Sequence, residues 1–217
     1  MARRLARLTL DTLVDLPIGC QSCAFWELDP VSRQRAAEVG DVAAEKEGWV
    51  SRVLLEWGSC GRVVYVDGDP AGYVLYAPAR YLPGASSFPT APVTDDAVLL
   101  ATAMVYPEYA GQGIGRTLMQ TVAKDLVKRG GIRAIEAFGT TQGPPRGSYG
   151  GCVLPADYLV RVGFKTQRAH VRFPRLRLDL RTALTWREEV ESALEKLMGA
   201  VVPRPRPAAH PHPRADH

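Results

Sequence analysis

The feature that most constrains this chain is a set of three alternating glycines between an apolar run and a helical pattern. Residues 97–105 (AVLLATAMV) are almost continuously apolar, which is typical of a buried central strand. Gly111, Gly113 and Gly115 follow, and over residues 116–129 apolar side chains recur at helical spacing along one stripe. The sequence therefore predicts a strand, a glycine loop and an amphipathic helix in direct succession.

Such a loop is typical of an anion-binding site. Glycine tolerates positive φ and lets the backbone approach a ligand closely, and the loop amides and the helix N-terminus behind them favour negative charge. Two familiar phosphate loops do not fit: the third glycine comes one residue too early for G-x-G-x-x-G, and after Gly115 a P-loop needs Lys before Ser or Thr, whereas this chain has Arg116 before Thr117. A plain strand-to-helix turn is the structural alternative, and the regular glycine spacing favours the anion site.

Residues 105–116 (VYPEYAGQGIGR) resemble the acyl-CoA motif of the GNAT acetyltransferase superfamily, commonly a strand followed by P-x-x-[RQ]-x-x-G-x-G. Gly113 and Gly115 match the two required glycines. Ala110 stands where the family usually has Arg or Gln, which removes one side chain near the phosphates but leaves the amides in place. The resemblance extends from residues 62–77, which are predicted to form a hairpin, to a Gly-Phe pair at 163–164 that looks like the family's ending.

The resemblance implies an α/β protein of the GNAT-type acyl-CoA N-acyltransferase fold, with a central mixed, mostly antiparallel sheet flanked by helices. It implies acetyl-CoA as the co-substrate, with no metal expected. The backbone of Ala103, Met104 and Val105 would pair with the pantetheine arm like an added strand. The expected residues around the pyrophosphate are Gly111, Gln112, Gly113, Ile114, Gly115, Arg116 and Thr117.

The mechanism implied by the resemblance is direct attack of an amine on the thioester. A base takes the amine proton, a strand amide near residues 104–105 stabilises the oxyanion, and an acid protonates the leaving thiolate. Many family members carry a Tyr four residues before the glycine of the Gly-Phe pair, and that position is Leu159 here. Tyr158 is adjacent, rotated by about 100° on a helix, so we take it as the candidate acid, with a packing aromatic as the alternative.

The general base has several candidates. Glu108 is in the loop motif, Glu136 is within a predicted strand, and His170 is the only histidine before the C-terminal tail. Water that relays the proton to bulk solvent is another candidate. Cys152 closes the loop over residues 139–151, which we interpret as a gate to the acceptor, and it is a second candidate catalytic residue that lines the acceptor site.

The four cysteines leave three interpretations open. Cys20 and Cys23, with two residues between them, could bind zinc together with Cys60 and Cys152, since zinc needs four ligands. They could also form a thiol redox pair. Small buried residues beside neighbouring aromatic side chains are the favoured interpretation.

The charge distribution argues against a nucleic-acid-binding body. The formal net charge is +4, but residues 1–7 and 199–217 carry six Arg and one Asp, which leaves 21 basic and 22 acidic residues between them. Both basic ends are interpreted as solvated tails, and only the C-terminal tail supports a nucleic-acid or partner-binding protein. No apolar stretch approaches the roughly 20 residues of a membrane span, and charged residues interrupt any signal-peptide core. We therefore expect a cytoplasmic protein.

The remaining pattern predicts three regions: a GNAT acyltransferase domain over 1–182, a helix over 183–200 and a disordered Pro/His/Arg-rich tail over 201–217. The helix begins with a capping box and packs on the domain or on a second copy, which leaves a homodimer open. Within the domain the pattern predicts strands at 5–9, 62–66, 71–77, 97–105, 132–138 and one or two within 164–180, and helices from 29, over 49–57, 116–129 and 156–162.

Two functions from different classes fit these features. The first is transfer of an acetyl group from acetyl-CoA to a primary amine of a small molecule or peptide. The alternative is a non-catalytic acyl-CoA-binding module that senses or scaffolds, which the missing standard Tyr and the open choice of base keep in play.

Overall fold

The chain folds around one mixed β-sheet in the computed structural model, which describes residues 2–142 and 152–181. Within these ranges the sheet has eight strands in the order β1-β2-β3-β4-β5-β8-β7, and β6 lies beside β5. Only the β4–β5 and β5–β6 pairs are parallel, so the expected mixed, mostly antiparallel sheet is confirmed. The strands are β1 Arg3–Arg7, β2 Gly61–Val66, β3 Asp69–Ala77, β4 Ala97–Val105, β5 Ala134–Thr140, β6 Leu154–Pro155, β7 Lys165–Arg168 and β8 Arg175–Asp179.

Six α-helices accompany the sheet in the described part of the chain. They are α1 Leu10–Leu13, α2 Ile18–Gln21, α3 Pro30–Val39, α4 Val42–Trp57, α5 Ile114–Arg129 and α6 Ala156–Arg161. Asp29 caps α3 by accepting hydrogen bonds from the amides of Val31 and Ser32, and Gly40 ends it in the left-handed region at φ 75°. No helix among the described residues is long and apolar enough to cross a membrane.

Most predicted elements are present, with shifted ends. The apolar run at 97–105 is strand β4 with the predicted bounds, whereas β1 covers 3–7 instead of 5–9 and α4 begins at Val42 instead of 49. Asp67 and Gly68 alone make the turn between β2 and β3, because Asp69 and Pro70 already belong to β3. The helix predicted over 183–200 and the tail over 201–217 lie outside the described residues.

The interpretation of the basic N-terminus as a solvated tail is wrong. Arg3 and Arg4 belong to β1, which pairs antiparallel with β2 along its full length. The Arg4 guanidinium lies 4.0 Å from the centre of the Tyr65 ring, and this cation–π contact gives the charged side chain a fixed position. Composition could not show this, because the apolar partner is about sixty residues away in sequence.

Two hydrophobic cores cover the two faces of the sheet. On one face, α1 and α4 contribute Leu13, Trp49, Val50 and Val53 to a core with inward-facing residues of β2 to β5. On the other face, α5 and α6 pack their apolar sides against the sheet. The buried residues of α5 are Ile114, Leu118, Met119, Val122, Ala123 and Leu126, which matches the predicted stripe except that Val127 is exposed and Ile114 lies before its predicted start.

Strand β4 has two irregularities that shape the site. Its pairing with β3 shifts between Thr102 and Leu100, so Ala101 is an extra residue that forms a β-bulge. Its parallel pairing with β5 involves only residues 97–99, after which β5 continues beside β6 and β8. The two central strands therefore diverge, and the backbone of β4 beyond Leu99 has no β5 residue paired with it.

Candidate active site

The glycine loop lies at the point where β4 ends and α5 begins. A short 3₁₀ turn over 107–109 follows β4, and Gly111 and Gly113 then have φ of 76° and 78°. Only glycine takes this left-handed conformation at little cost, which explains both positions. Gly113 caps α5, so the first amides of a sixteen-residue helix point out of its N-terminal end into the loop. The arrangement is suited to an anion.

Thr117 makes a local contact that sequence reasoning did not anticipate. Its amide donates to the Gly113 carbonyl at 3.1 Å, and its hydroxyl donates to the same oxygen at 3.2 Å. Both donors are thus engaged within the helix, and donors for a ligand are left to the residues before Thr117.

Arg3 brings a cation to the glycine loop. Its guanidinium Nη2 donates to the carbonyl of Gln112 at 2.9 Å. The buried side-chain Oε1 of Gln112 has no hydrogen-bond partner in the described residues. Ala110, where the family motif has Arg or Gln, is exposed and supplies no polar side chain. Arg3 is therefore a basic residue near the loop that sequence reasoning missed, and its only advance signal was the cluster of arginines at the N-terminus.

Tyr158 lies beside the glycine loop, whereas its neighbour does not. A Cβ placed on Gly115 would come within 2.9 Å of the Tyr158 hydroxyl and 3.6 Å of the Val105 side chain, so the hydroxyl lies close to the start of α5. Leu159, at the position of the family Tyr, is fully buried in the core. Burial raises the pKa of Tyr158, so its proton is retained through neutral pH.

A cavity of about 150 Å³ lies on the opposite face of β4. The strands contribute Tyr73, Leu75, Thr102 and Met104 to its wall. The Tyr73 hydroxyl is buried without a hydrogen-bond partner in the described residues, and burial raises its pKa. The remaining lining residues come from the first part of the chain and from position 152: Gly19, Cys20, Cys23, Trp26, Glu27, Lys46 and Cys152.

An ion pair between Glu27 and Lys46 contributes to the wall of this cavity. The Lys46 ammonium contacts the Glu27 carboxylate, with 3% and 1% of the two side chains exposed. Lys46 also donates to the carbonyl of Cys23 at 3.2 Å. A buried ammonium needs partners of this kind to offset its lost hydration.

The structure brings Cys23 into contact with Cys152 rather than with Cys20, its neighbour in the sequence. Cys23 Sγ lies 3.1 Å from Cys152 Sγ, and Cys20 lines the same cavity. The hydrogen bond with Cys152 lowers the pKa of Cys23 to about 6, and the same contact raises that of Cys152. Cys60 is fully buried and does not line this cavity. Burial raises its pKa to about 12. Within 2–142 and 152–181, no group of three or more His, Cys, Asp or Glu residues could hold a metal ion.

None of the three candidate bases lines the cavity. Glu136 is fully buried and paired with Arg175 at 2.8 Å and Arg177 at 3.2 Å, so it is structural. Glu108 is exposed. His170 Nδ1 accepts from the amides at 172 and 173 and stabilises a turn.

The fold and the loop define an α/β protein whose central strand leads into a site suited to an anion. A family model described as Acetyltransferase (GNAT) family matches residues 10–145, which is more than half of the chain. The chain therefore belongs to the GNAT family of acetyltransferases. Members of this family use acetyl-CoA.

Solved structures show the same fold. The PaiA N-acetyltransferase of Thermoplasma acidophilum, in complex with coenzyme A, is 14% identical over 82% of this chain and 99% of its own, with a TM-score of 0.53. A GNAT-family protein from Desulfovibrio desulfuricans is 20% identical over 82% and 99%, with a TM-score of 0.50. The loading GNATL domain of CurA from Lyngbya majuscula is 11% identical over 84% and 100%, with a TM-score of 0.51. No curated protein sequence matches this chain significantly.

Proposed function

We propose that this protein transfers an acetyl group from acetyl-CoA to a primary amine of a small molecule or peptide, by direct attack of the amine on the thioester. The observation that carries the proposal is the divergence of β4 from β5 after Leu99, which leaves the part of β4 that leads toward the glycine loop without a β5 partner. An extended arm can lie along the β4 backbone while its charged end reaches the loop.

The donor is held from the N-terminal start of α5 to the end of β4. The amides of Gly113 to Arg116 surround the pyrophosphate, with the helix N-terminus supplying partial positive charge. The guanidinium of Arg3 adds a full charge beside the same loop, in part replacing the side chain that Ala110 lacks. The pantetheine arm pairs with residues 103–105 like an added strand.

The acceptor amine approaches from the cavity on the other face. Thr102 and Met104 belong to that cavity and to the strand that holds the pantetheine arm, so an amine there comes close to the thioester. At about 150 Å³ the cavity is smaller than a typical ligand pocket of roughly 300–1,000 Å³. It suits a small amine or the end of a side chain rather than a whole large substrate.

The proton steps use few side chains. Tyr158 protonates the leaving thiolate, because its hydroxyl lies next to the loop and keeps its proton. Water that enters the cavity removes the amine proton, since Glu108, Glu136 and His170 do not line it and the lining carboxylate Glu27 is paired with Lys46. Cys152 contacts the acceptor from the cavity wall, and its raised pKa keeps it a thiol.

The experiment is a thiol-release assay of the full-length protein with acetyl-CoA and a panel of primary amines, beside direct measurement of acetyl-CoA binding. Turnover with at least one amine is expected. Gly113→Ala is the matched variant for the glycine loop. The added methyl group meets nothing within 4 Å, so the substitution disturbs only the backbone conformation of a residue at φ 78°. Binding without acetylation of any amine would instead indicate a non-catalytic acyl-CoA-binding module.

A further inference from the structure

Two thiols lie where two neighbouring cavities meet, together with Gly19. The inner cavity, about 150 Å³, is the one that adjoins β4. An outer one of about 380 Å³ includes Phe25, Arg33 and Val42 in its lining. Cys23 and Cys152 line both cavities. A small molecule in either cavity therefore reaches the same two sulfur atoms.

The two cysteines are held in position by their backbones. The Trp26 indole donates to the carbonyl of Cys152 at 2.7 Å, and the buried Lys46 ammonium donates to the carbonyl of Cys23 at 3.2 Å. The sulfur atoms are 3.1 Å apart, and a disulfide bond is about 2.05 Å long. Bond formation therefore requires a sulfur movement of roughly 1 Å.

The two thiols also differ in reactivity. The charged and titratable groups that act on Cys23 are Cys152, Glu27 and Lys46, and their balance lowers its pKa to about 6. The pKa of Cys152 is raised. At neutral pH the pair thus consists of one thiolate and one thiol, which suits a nucleophile and the group that resolves its product.

We infer that Cys23 and Cys152 are a modification site for peroxides, at which hydrogen peroxide converts the two thiols into a disulfide. The Cys23 thiolate attacks one peroxide oxygen, the O–O bond breaks, and the departing hydroxide takes a proton to become water. Cys23 is then a sulfenic acid. The Cys152 sulfur attacks the Cys23 sulfur, an S–S bond forms, and the sulfenic hydroxyl leaves with the Cys152 proton as a second water. Two thiols are oxidised by two electrons and one peroxide is reduced.

The sequence spacing suggests a different pair, which makes the inference specific. Cys20 and Cys23 are the C-x-x-C neighbours, yet Cys152, 129 residues away in sequence, is the residue in sulfur contact. Cys20 lines the inner cavity only. Cys20→Ser is therefore a matched control within the same cavity, and Cys60→Ser is a control for a buried thiol outside it.

A functional consequence rests on the proposed acetyl transfer. A disulfide would replace two separate thiols in the cavity wall by a rigid cross-link on the acceptor face of β4. We therefore expect the oxidised protein to lose amine turnover by at least tenfold while its affinity for acetyl-CoA changes by less than twofold. Dithiothreitol should restore turnover.

The test treats the full-length protein with an equimolar amount of hydrogen peroxide and measures intact mass, with peptide mapping of the cross-link. Wild type, Cys20→Ser and Cys60→Ser should lose the mass of two hydrogen atoms and contain a Cys23–Cys152 disulfide. Cys152→Ser should stop at a sulfenic acid on Cys23 that dimedone traps, and Cys23→Ser should form no disulfide.

Three results would overturn the inference: a Cys20–Cys23 cross-link, no cross-link in wild type, or thiols that stoichiometric zinc protects in the purified protein. The mass readout needs no enzymatic activity. A protein that forms the disulfide but acetylates no amine would therefore refute the proposed function and leave the modification site established.

Discussion

Tyr158 is the residue on which the proposed chemistry depends most directly. Replacement by Phe keeps the ring that packs near Gly115 and removes only the hydroxyl, so we expect kcat to fall by about 100-fold, the usual order for a lost general acid. The acetyl-CoA dissociation constant should change by less than about twofold, because ring packing is kept. Steady-state kinetics and binding on the same samples test this, and unchanged turnover would remove Tyr158 from the mechanism.

The pH dependence of turnover in the wild type tests the assignment of Tyr158 as the general acid. Burial raises the pKa of Tyr158 above that of an ordinary tyrosine, which is about 10. The acid form is therefore complete throughout the neutral range, and loss of turnover by ionisation of Tyr158 should begin only in strongly alkaline solution. An alkaline limb centred below about pH 9 that disappears in Tyr158→Phe would contradict the raised pKa.

The Tyr158 hydroxyl leaves no room for a side chain at Gly115. A Cβ there would lie 2.9 Å from the Tyr158 hydroxyl, so Gly115→Ala should lower the free energy of unfolding by about 1–3 kcal/mol, as overpacking does. Tyr158→Phe in the same chain should recover a large part, because it removes the atom in conflict. Urea unfolding of the single and double variants measures the coupling. Gly113→Ala, strained by its φ of 78°, should gain nothing from Tyr158→Phe.

At the residue scale, local features of the site could be predicted from the sequence and long-range contacts could not. The glycine loop was predictable because its chemistry is local: Gly113 and the helix behind it are adjacent in the chain. The contacts of Arg3 with Gln112 and of Cys23 with Cys152 were not predictable, because 109 and 129 residues separate the partners. Only the strand order of the sheet brings such partners together.

At the scale of elements, the ion pair between Glu27 and Lys46 links the segment before α3 to α4. Lys46→Met leaves a buried carboxylate without its cation, so we expect unfolding free energy to fall by about 3–5 kcal/mol. Glu27→Gln in the same chain should restore much of it, since no uncompensated charge is left. Urea unfolding is the measurement. The exposed pair of Arg161 and Asp157 within α6 is the matched control, because its loss should cost less than about 1 kcal/mol.

A second ionic network joins β5 and β8 to the loop before β4, and it makes stability depend on pH. Hydrogen bonds from Arg177 hold the pKa of Asp96 well below its usual range. A carboxyl with a depressed folded-state pKa stabilises the fold fully above its unfolded pKa, near 3.9, and the contribution declines as pH falls toward the folded value. Asp96→Asn should therefore flatten the decline of unfolding free energy between about pH 4 and 2. An unchanged slope would contradict the role of this pair.

Elements themselves were predictable where one pattern dominates. The apolar run at 97–105 and the stripe at 116–129 gave β4 and α5 because each element buries its apolar side chains in a core. The bulge at Ala101 and the end of β4–β5 pairing at Leu99 have no local signature, since they depend on neighbouring strands. The divergence that carries the proposed function was therefore visible only in the structure.

At the scale of the whole molecule, the donor site connects the end of β4, the start of α5 and β1, so a ligand bound there should stabilise the domain as a unit. Ligand that binds only the folded state at 100 times its dissociation constant adds about 2.7 kcal/mol. For a domain of this size that raises Tm by roughly 5–10 °C. Thermal unfolding with acetyl-CoA is the measurement, and Arg3→Ala should weaken the apparent affinity about threefold.

Acetyl-pantetheine distinguishes the contribution of the glycine loop to binding from that of the rest of the donor site. It keeps the thioester and the arm that would pair with residues 103–105 but lacks the pyrophosphate, so at the same concentration it should raise Tm far less than acetyl-CoA does. High salt should reduce the difference between the Tm increases that the two compounds cause, because screening weakens the attraction between the exposed loop and a charged ligand. Equal shifts from both compounds would mean that the arm alone supplies the binding energy, and the glycine loop would then be a strand-to-helix turn with no ligand.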